Sequence, residues 1–428
     1  MALDLRTKLA VAAGKGTAAL SRRLGRGGGS AVGGKVTLAL ARLAISSLVG
    51  DRRVALISGT NGKTTTTSFV AAGWATAAPI VANITGANLP TGVVSVLASS
   101  SADAVLEVDE GHLSRVMAET SPTVVVLLNL SRDQLDRVGE VSRHAGRWRD
   151  ALTTLPATVV IANSDDPLIA WAAMNHTNVV WVATGQKWRA DATSCPSCAG
   201  SISWDTTGAW SCDSCVFTRP KPHLTLLGDT VIDHRAADSM HVVDIGLPGW
   251  ANRANAVMAA AACGCVGVSV VDALAAMSTV GGVAGRYETV TIRGSQARLL
   301  LAKNPAGWHE LFEVLRPAPM PVIVGINSRI VDGRDPSWLW DVPFERLRGR
   351  RVIATGERGR DLVVRLRYAD VDAEFIENAT AALEAVAHLS TEFEVAANYS
   401  NFQQMRIAAT SIRRSSTRSR RPNSGGES

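Results

Sequence analysis

The sequence predicts an α/β protein with two sheets, each built mainly of parallel strands that alternate with helices. Three observations lead to this prediction. From Val54 onward, short apolar runs alternate with helical patterns, as in a sheet covered on both faces. A cysteine-rich insertion at residues 190–222 interrupts the alternation. After a glycine-containing linker at Gly281–Gly285, a second and smaller series shows the same alternation.

The composition is that of a globular protein of two or three domains. Of the 428 residues, 46% are hydrophobic and 19% are charged. No apolar run reaches the ~20 residues that a membrane-spanning helix needs, and the N-terminus lacks the apolar core of a signal peptide. We therefore expect a cytoplasmic protein without a membrane span, with an Arg-rich transit peptide as the alternative.

The net charge of +6 is concentrated at the two ends of the chain. Residues 1–50 contain eight Lys and Arg and one acidic residue, and residues 51–412 carry a net charge of −5. Such an acidic body argues against a nucleic-acid-binding surface. The predicted organisation is a basic helical N-terminal arm (1–50), a central domain (51–285), a C-terminal α/β domain (286–412) and a disordered tail (413–428).

The elements of both series can be placed in order. A strand at Val54–Ile57 leads through a glycine loop into a helix at Thr64–Ala77. Further strands are predicted at Val105–Val108, Val124–Leu128, Thr158–Ile161 and Val179–Val182, followed by helical patterning over Asn252–Met277. The second series begins with strands at Ala297–Leu301, Val322–Gly325 and Arg351–Thr355. In such sheets ligands bind at the carboxyl ends of the strands.

The loop after the first strand predicts a nucleotide-binding site. It consists of Gly59, Thr60, Asn61, Gly62, Lys63, Thr64 and Thr65. The glycines let backbone N–H groups turn toward phosphate oxygens at the positive end of the next helix. Lys63 is placed to contact the phosphates of ATP, and the Thr64 hydroxyl suits Mg²⁺. The alternative, a glycine turn followed by Lys and Thr by chance, is disfavoured by the strand–loop–helix context.

This loop and several later motifs resemble those of the Mur ligases and folylpolyglutamate synthetases, which form amide bonds through acyl phosphates. The later motifs are Leu106–Glu110, Asn129–Asp136, Asn163–Pro167, Asn252–Asn255 and Gly285–Glu288. The resemblance implies a Mur-ligase-type central domain in which Lys63 and Glu107 are catalytic, Glu107 binds Mg²⁺, and Asn255 and Arg286 contact the nucleotide. A solvated strand end is the alternative for Glu107 and Glu110. Gln134 replaces a family histidine, and the family's carbamylated lysine is absent because no Lys occurs between Lys63 and Lys187.

Two Cys-x-x-Cys pairs in the insertion predict a metal site. Cys195 and Cys198 are separated by 13 residues from Cys212 and Cys215. Four thiolates at this spacing close a tetrahedral structural Zn²⁺ site. We call the insertion at residues 190–222 the zinc ribbon. A disulfide or redox function is the alternative. Cys263 and Cys265 are expected to be small buried residues of the following helix.

The second series carries two motifs of its own. Lys303 follows a strand within Leu301–Trp308, and the segment Asp332–Asp341 holds three Asp and two Trp. A capped turn with Trp packed on the domain edge is the plainer interpretation of that segment. Together with the zinc ribbon, these motifs resemble the MurT family over roughly residues 30–410. The resemblance implies a Rossmann-like C-terminal domain whose Lys303 contacts phosphate.

The MurT resemblance also implies a function and a partner. It implies ATP-dependent amidation of the α-carboxyl of D-glutamate in the lipid II stem peptide, with ammonia from a GatD-type glutaminase. One Asp is then expected to complete the partner's Cys-His site, and Asp335 is our choice over Asp332 and Asp341. Two other functions remain open: a Mur or folylpolyglutamate-type amino-acid ligase, and a nucleic-acid-associated NTPase with a zinc ribbon.

Overall fold

The computed structural model describes residues 4–24, 30–84, 86–132, 141–281 and 287–418. Gln134 and Arg286, both singled out above, lie outside the described residues. The described residues divide into two compact units. The first unit comprises those up to Ser131 and those from 141 to Gly281, and the second comprises Arg132 and residues 287–418.

The first unit is built on a nine-stranded sheet with the strand order β11-β10-β9-β6-β5-β4-β1-β3-β2. Its strands, with the separate β7–β8 hairpin, are β1 (Val54–Ser58), β2 (Ile80–Ala82), β3 (Asp103–Glu107), β4 (Val124–Leu127), β5 (Val159–Asn163), β6 (Val179–Ala183), β7 (Ile202–Trp204), β8 (Trp210–Cys212), β9 (Leu224–Leu227), β10 (Thr230–Asp233) and β11 (Ser239–Val242). The predicted parallel sheet is confirmed for β1 and β3–β6, and the short strand β2, which was not predicted, joins its edge in parallel with β3. The antiparallel extension β9–β11 was not predicted; a two-residue turn containing Gly228 at φ +64° joins β9 to β10, and so short a turn can connect only antiparallel strands.

Helices cover both faces of this sheet, as the fully buried β1 requires. They are α1 (Leu5–Arg23), α2 (Ser30–Leu40), α3 (Ala44–Val49), α4 (Lys63–Trp74), α5 (Pro90–Leu97), α6 (Leu113–Thr120), α7 (Val141–Thr153), α8 (Pro167–Ala173), α9 (Trp250–Cys263) and α10 (Val270–Met277). The core on one face joins α3, α5, α6, α7 and α8 to inward side chains such as Leu56 and Val125. On the other face α4 packs against α9 and α10.

The second unit is a six-stranded sheet with the order β12-β13-β17-β14-β15-β16, parallel except for the edge strand β12. Its strands are β12 (Tyr287–Ile292), β13 (Ser295–Leu301), β14 (Val322–Gly325), β15 (Val352–Thr355), β16 (Ala373–Phe375) and β17 (Glu392–Ala397). Its helices are α11 (Pro305–Val314), α12 (Gly359–Tyr368), α13 (Ala379–Ala387) and α14 (Tyr399–Arg418). Residues 413–418, which were expected to belong to a disordered tail, form the last residues of α14. Among the described residues, no helix has the length and apolarity needed to cross a membrane.

Candidate functional site

Residues 59–65, here called the nucleotide-type loop, connect β1 to the first turn of α4. At two positions only glycine adopts their backbone conformation without strain. Gly59 has φ +143° and Gly62 has φ +87°. A Cβ on Gly59 would lie 2.8 Å from the Cβ of Leu128, and one on Gly62 would lie 2.5 Å from Oδ1 of Asn255. The two glycines thus let the loop pass close to β4 and to α9. Asn255, predicted from the sequence as a nucleotide contact, is buried beside the loop.

The segment after β4 holds the loop in place. The backbone N–H of Thr60 donates to the carbonyl of Asn129 at 2.9 Å. The Asn129 side chain accepts from the N–H of Asn61 at 2.9 Å and donates to its carbonyl at 3.0 Å. The N–H of Ser131 donates to Oγ1 of Thr60 at 3.0 Å. This clamp fixes the loop ahead of α4, where the first helical N–H groups form a site for anions.

Lys63 is buried at the start of α4 and extends over the loop. Its Nζ donates to the carbonyl oxygens of Gly59 at 2.6 Å and Thr60 at 3.1 Å, and it pairs with Oε2 of Glu110 at 3.0 Å. Thr64 and Thr65, the next two predicted residues, are also buried in the first turn of α4. The positive charge of Lys63 is therefore held at the same place as the N-terminus of α4.

Glu107 ends β3 next to the loop and is only 1% exposed. The Asn83 side chain bonds both its backbone N–H and its carbonyl, at 2.6 and 2.8 Å. Oε1 of Glu107 accepts from Nδ2 of Asn88 at 3.0 Å, whereas Oε2 is buried with no hydrogen-bond partner among the described residues. A buried carboxylate oxygen without a partner is costly. Glu107 therefore suits a cation such as Mg²⁺, and it is not the solvated strand end that was the alternative.

Two residues near the loop were assigned no function from the sequence. Glu110 pairs with Lys63, and its backbone carbonyl accepts from Nε1 of Trp148 on α7 at 3.1 Å. His144, also on α7, is buried near Glu110. Burial lowers the pKa of His144 below its ordinary value, although the negative charge of Glu110 raises it. A lone histidine on a helical pattern offers no sequence signal, but Glu110 belongs to the motif that includes Glu107.

The four predicted cysteines come together in the insertion. Their Sγ atoms all lie within 4.8 Å of one another, with 3.8 Å between Cys195 and Cys215 and 3.5 Å between Cys198 and Cys212. All four are free thiols, and the 3.5 and 3.8 Å separations are longer than the ~2.05 Å of a disulfide bond. The N–H of Ser214 helps lower the pKa of the Cys212 thiol to about 7. Four thiol groups that surround one point fit the closed tetrahedral site of structural Zn²⁺.

The zinc ribbon is attached to the turn that follows β5. Nε1 of Trp210 donates to the carbonyl of Ser164 at 3.0 Å, and Arg219 forms an ion pair with Asp165 at 2.6 Å. The neighbouring Asp166 is buried, and its carboxylate accepts from the backbone N–H of Leu130 at 2.8 Å. Since Leu130 lies between the clamp residues Asn129 and Ser131, the Asn163–Pro167 turn joins the ribbon to the nucleotide-type loop.

The second unit holds the remaining predicted residues. Lys303 follows β13, and its Nζ lies 5.7 Å from the ring centre of Tyr399. At the carboxyl end of β14, Asn327 exchanges hydrogen bonds with Asn398, through the N–H of Asn327 at 3.1 Å and Nδ2 of Asn398 at 2.7 Å. Sequence reasoning missed this buried asparagine pair. Lys303, Asn327 and Asn398 therefore follow the parallel strands β13, β14 and β17. They lie at the carboxyl ends of these strands, where such sheets bind ligands.

The three candidate aspartates have different surroundings. Asp332 is buried and accepts hydrogen bonds from the N–H and the hydroxyl of Ser400. Asp341 is exposed and pairs with Arg132 of the same unit at 3.4 Å. Asp335 is exposed, and hydrogen bonds from the N–H and hydroxyl of Ser337, each 2.9 Å, lower the pKa of its carboxyl. Asp335 therefore presents an ionised carboxylate at the surface, whereas Asp332 is committed to the interior.

Comparison with known proteins agrees with this geometry. The family model of the Mur ligase middle domain matches residues 57–263, and that of the MurT ligase C-terminal region matches residues 301–402. The MurT subunit of lipid II isoglutaminyl synthase (glutamine-hydrolyzing) from Streptococcus pneumoniae is 29% identical over 413 residues, covering 90% of this chain and 91% of that protein. Its namesake from Staphylococcus aureus strain COL is 28% identical, covering 76% and 79%.

Among solved structures, a pseudomurein peptide ligase type C from Methanothermus fervidus superposes with a TM-score of 0.68 at 17% identity. The match covers 88% of this chain and 84% of that one, so the two share a fold. The loop, the buried Glu107 and the cysteine cluster thus occur in a chain that matches Mur-type relatives along most of its length. The chain belongs to the MurT family of Mur-ligase-like proteins.

Proposed function

We propose that this chain is the ATP-dependent synthetase subunit of a lipid II isoglutaminyl synthase. The enzyme would convert the α-carboxyl of D-glutamate in the lipid II stem peptide to an amide, giving D-isoglutamine. The observation that carries the proposal is the nucleotide-type loop beside the buried Glu107, in one chain with a MurT-type C-terminal region. The relatives from S. pneumoniae and S. aureus bear the name of this subunit.

The residues of the first unit suit the phosphoryl-transfer half of the reaction. An oxygen of the substrate carboxylate would attack the γ-phosphorus of ATP, so that ADP leaves and an acyl phosphate forms. The Lys63 ammonium and the N-terminus of α4 would stabilise the negative charge on the transferred group. Glu107 and the Thr64 hydroxyl would hold Mg²⁺, which would neutralise phosphate charge. Asn255, Arg286 and Lys303 are proposed as further contacts to the nucleotide.

The amide nitrogen would come from a GatD-type glutaminase partner. Its ammonia would attack the acyl carbon, phosphate would leave, and the nitrogen would lose a proton. Glutamine hydrolysis of this kind needs a thiolate nucleophile. In this chain four cysteines form the cluster, and burial raises the pKa of Cys263 to about 12 and that of Cys265 to about 11. The nucleophile would therefore belong to the partner, and Asp335 would complete the partner's Cys-His site.

The cofactors and the place of the reaction follow from this proposal. The cysteine cluster would hold one structural Zn²⁺ and take no part in the chemistry. Because ATP is cytoplasmic and lipid II is anchored in the membrane, the reaction would take place in the cytoplasm near the inner face of the membrane. No nucleic-acid partner is proposed.

An ADP-release assay on the purified complex tests the function. The chain is co-expressed with a candidate glutaminase, and ADP is measured with lipid II, ATP and glutamine, omitting each in turn. We expect ADP release only with all three present, and free ammonia in place of glutamine should restore it without the partner. ADP release that instead requires a free amino acid would indicate an amino-acid ligase. Release that requires DNA would indicate a nucleic-acid-associated NTPase.

A further inference from the structure

The N-terminal helix α1 exposes its large apolar side chains and buries its small ones. The buried face consists of Thr7, Ala10, Gly14, Ala18 and Ser21. Four leucines on the opposite side, Leu5, Leu9, Leu20 and Leu24, are between 57% and 73% exposed. A helix that packs on a globular core shows the reverse arrangement, with its large apolar residues inward. We call these four residues the leucine stripe.

Close packing against α2 fixes the rotation of α1. A Cβ on Gly14 would collide with Oγ1 of Thr37 and lie 2.6 Å from the carbonyl oxygen of Gly33. A Cβ on Gly33 would in turn lie 2.6 Å from the carbonyl oxygen of Gly14. Only small residues can occupy this contact, so α1 cannot turn its leucines toward α2. The leucine stripe therefore stays on the outside of the first unit.

A line of basic residues runs along a third side of α1, which differs from both the buried face and the leucine stripe. Lys8, Lys15 and Arg22 follow one another every seven residues, which places them on one side of the helix, and all three are exposed. From residue 5 to residue 50 the sequence contains no Asp or Glu. Asp4, just before α1, accepts from the N–H of Thr7 as the helix cap. The helix thus combines an apolar stripe with basic side chains that form no ion pair among the residues the structure describes.

We propose that α1 is a docking surface for an anionic lipid bilayer. The leucine stripe, about 28 Å long at the helical rise, would enter the boundary between headgroups and acyl chains. The long side chains of Lys8, Lys15 and Arg22, which leave the helix from another side than the leucines, would extend to the anionic headgroups. Helices that lie in a membrane interface bind by this combination of buried apolar area and attraction to anionic lipid.

The charge of α1 argues for a bilayer over the other possible occupants. A second copy of this chain would bring an equally basic surface against the first, and like charges repel. A nucleic acid would pair with the basic line but would leave the leucine stripe in water. Binding of α1 to a bilayer does not depend on which reaction the chain catalyses, so this inference goes beyond the proposed function. A membrane-anchored substrate would bring the chain to the same bilayer.

Flotation of the full chain with lipid vesicles tests the surface. One set of vesicles contains phosphatidylglycerol and the other only phosphatidylcholine, both without lipid II and ATP. We expect binding to the anionic vesicles only, weakened by salt. The double variants Leu5→Ser/Leu9→Ser and Lys8→Glu/Lys15→Glu should each lower the partition coefficient at least about tenfold.

Two single variants outside α1 serve as matched controls. Leu227, at 65% exposure, matches Leu9 at 63%, and Lys221 is an exposed lysine elsewhere in the first unit. Leu227→Ser and Lys221→Glu should bind as the native chain does, and all variants should keep its melting temperature because the altered side chains are exposed. Absence of binding to anionic vesicles, or equal binding by the double variants, would overturn the proposal. A wild-type chain that is dimeric, together with a monomeric Leu5→Ser/Leu9→Ser variant, would also overturn the proposal. None of these outcomes bears on the amidation reaction.

Discussion

The ammonium of Lys63 lies 3.0 Å from Oε2 of Glu110, and both side chains are largely buried, at 8% and 13% exposure. Lys63 belongs to the nucleotide-type loop, whereas Glu110 follows β3, three residues after Glu107. Nucleotide phosphates that bind at the loop would compete with this carboxylate for Lys63. The ion pair would therefore connect the occupancy of the loop to the stability of the β3 end of the sheet.

Glu110→Gln should destabilise the chain without nucleotide more than the chain with nucleotide. Removing one partner of a buried ion pair leaves a charge poorly compensated, and we expect a loss of about 3–5 kcal/mol in the free energy of unfolding. Bound ATP would supply phosphate oxygens to Lys63 and restore part of this loss, so the melting-temperature gain on adding Mg-ATP should exceed that of the native chain. Glu384→Gln, which breaks the more exposed pair with Arg293, is the control. A smaller gain for Glu110→Gln would mean that Glu110 itself helps to bind the nucleotide.

Zinc should be present at one ion per chain, and Cys198→Ser should weaken the zinc ribbon. Loss of one of four thiolates lowers metal affinity, and structural zinc contributes directly to folding. We expect a lower melting temperature or solubility, with the loop residues unchanged. Metal analysis of protein purified without chelator provides the measurement. Cys263→Ser, outside the cluster, should retain the zinc. Native protein that contains no zinc and has the same melting temperature as Cys198→Ser would contradict the zinc site.

Asp335→Asn should lower glutamine hydrolysis by the complex while ATP binding and complex assembly survive. A carboxylate in a Cys-His-Asp site fixes the histidine tautomer and stabilises its charged form. The hydrolysis rate and the ammonia-driven amidation rate are both measured, and only the first should fall.

Asp341→Asn, at an exposed position in the same segment, is the matched variant. Asp332→Asn is expected to act through folding instead, since it disturbs the buried bonds to Ser400 and should lower the melting temperature. Normal glutamine hydrolysis by both Asp335→Asn and Asp341→Asn would exclude the shared site.

The buried Asp166 should give the stability a distinct pH dependence. Burial raises the pKa of its carboxyl from 3.8 to about 6, despite hydrogen bonds from Leu130, Leu168, Ile169 and Gln186 that lower it. Between these pH values the folded chain holds a proton that the unfolded chain has lost, so stability falls as pH rises from about 4 to about 6. Over this range the contribution is about 2–3 kcal/mol. Unfolding measured against pH for Asp166→Asn should lack this slope; an unchanged slope would contradict the assignment.

The parts of the site that sequence could predict are local in the chain. The loop from Gly59 to Thr65 and the Cys-x-x-Cys pairs each form within a short stretch, and their spacing carries the chemistry. The contacts that complete the loop are not local. Glu110 reaches Lys63 across 47 residues, and Asn129 reaches Asn61 across 68. Only the order of the strands in the sheet brings these residues together.

The fold shows the same division. Alternating strands and helices predicted the parallel strands β1 and β3–β6 but not the short edge strand β2. The hairpins β9–β11 follow the zinc ribbon, where the alternation stops. The buried Asn327–Asn398 pair joins the ends of β14 and β17, which are adjacent in the sheet and 71 residues apart in the chain. A polar residue after a strand has many possible partners, and the sequence alone does not select among them.

Transfer of an isotopically labelled amide nitrogen from glutamine to lipid II tests whether the complex amidates the stem peptide. The complex of this chain with its glutaminase partner is incubated with ATP, lipid II and the labelled glutamine, and the stem peptide is analysed by mass spectrometry. We expect one labelled nitrogen on the α-carboxyl of D-glutamate and one ADP for each amide formed. With Lys63→Ala in place of the native chain, the rate should fall on the order of 10²-fold or more while the complex still assembles. An unlabelled stem peptide, or labelling at the native rate with Lys63→Ala, would contradict the account.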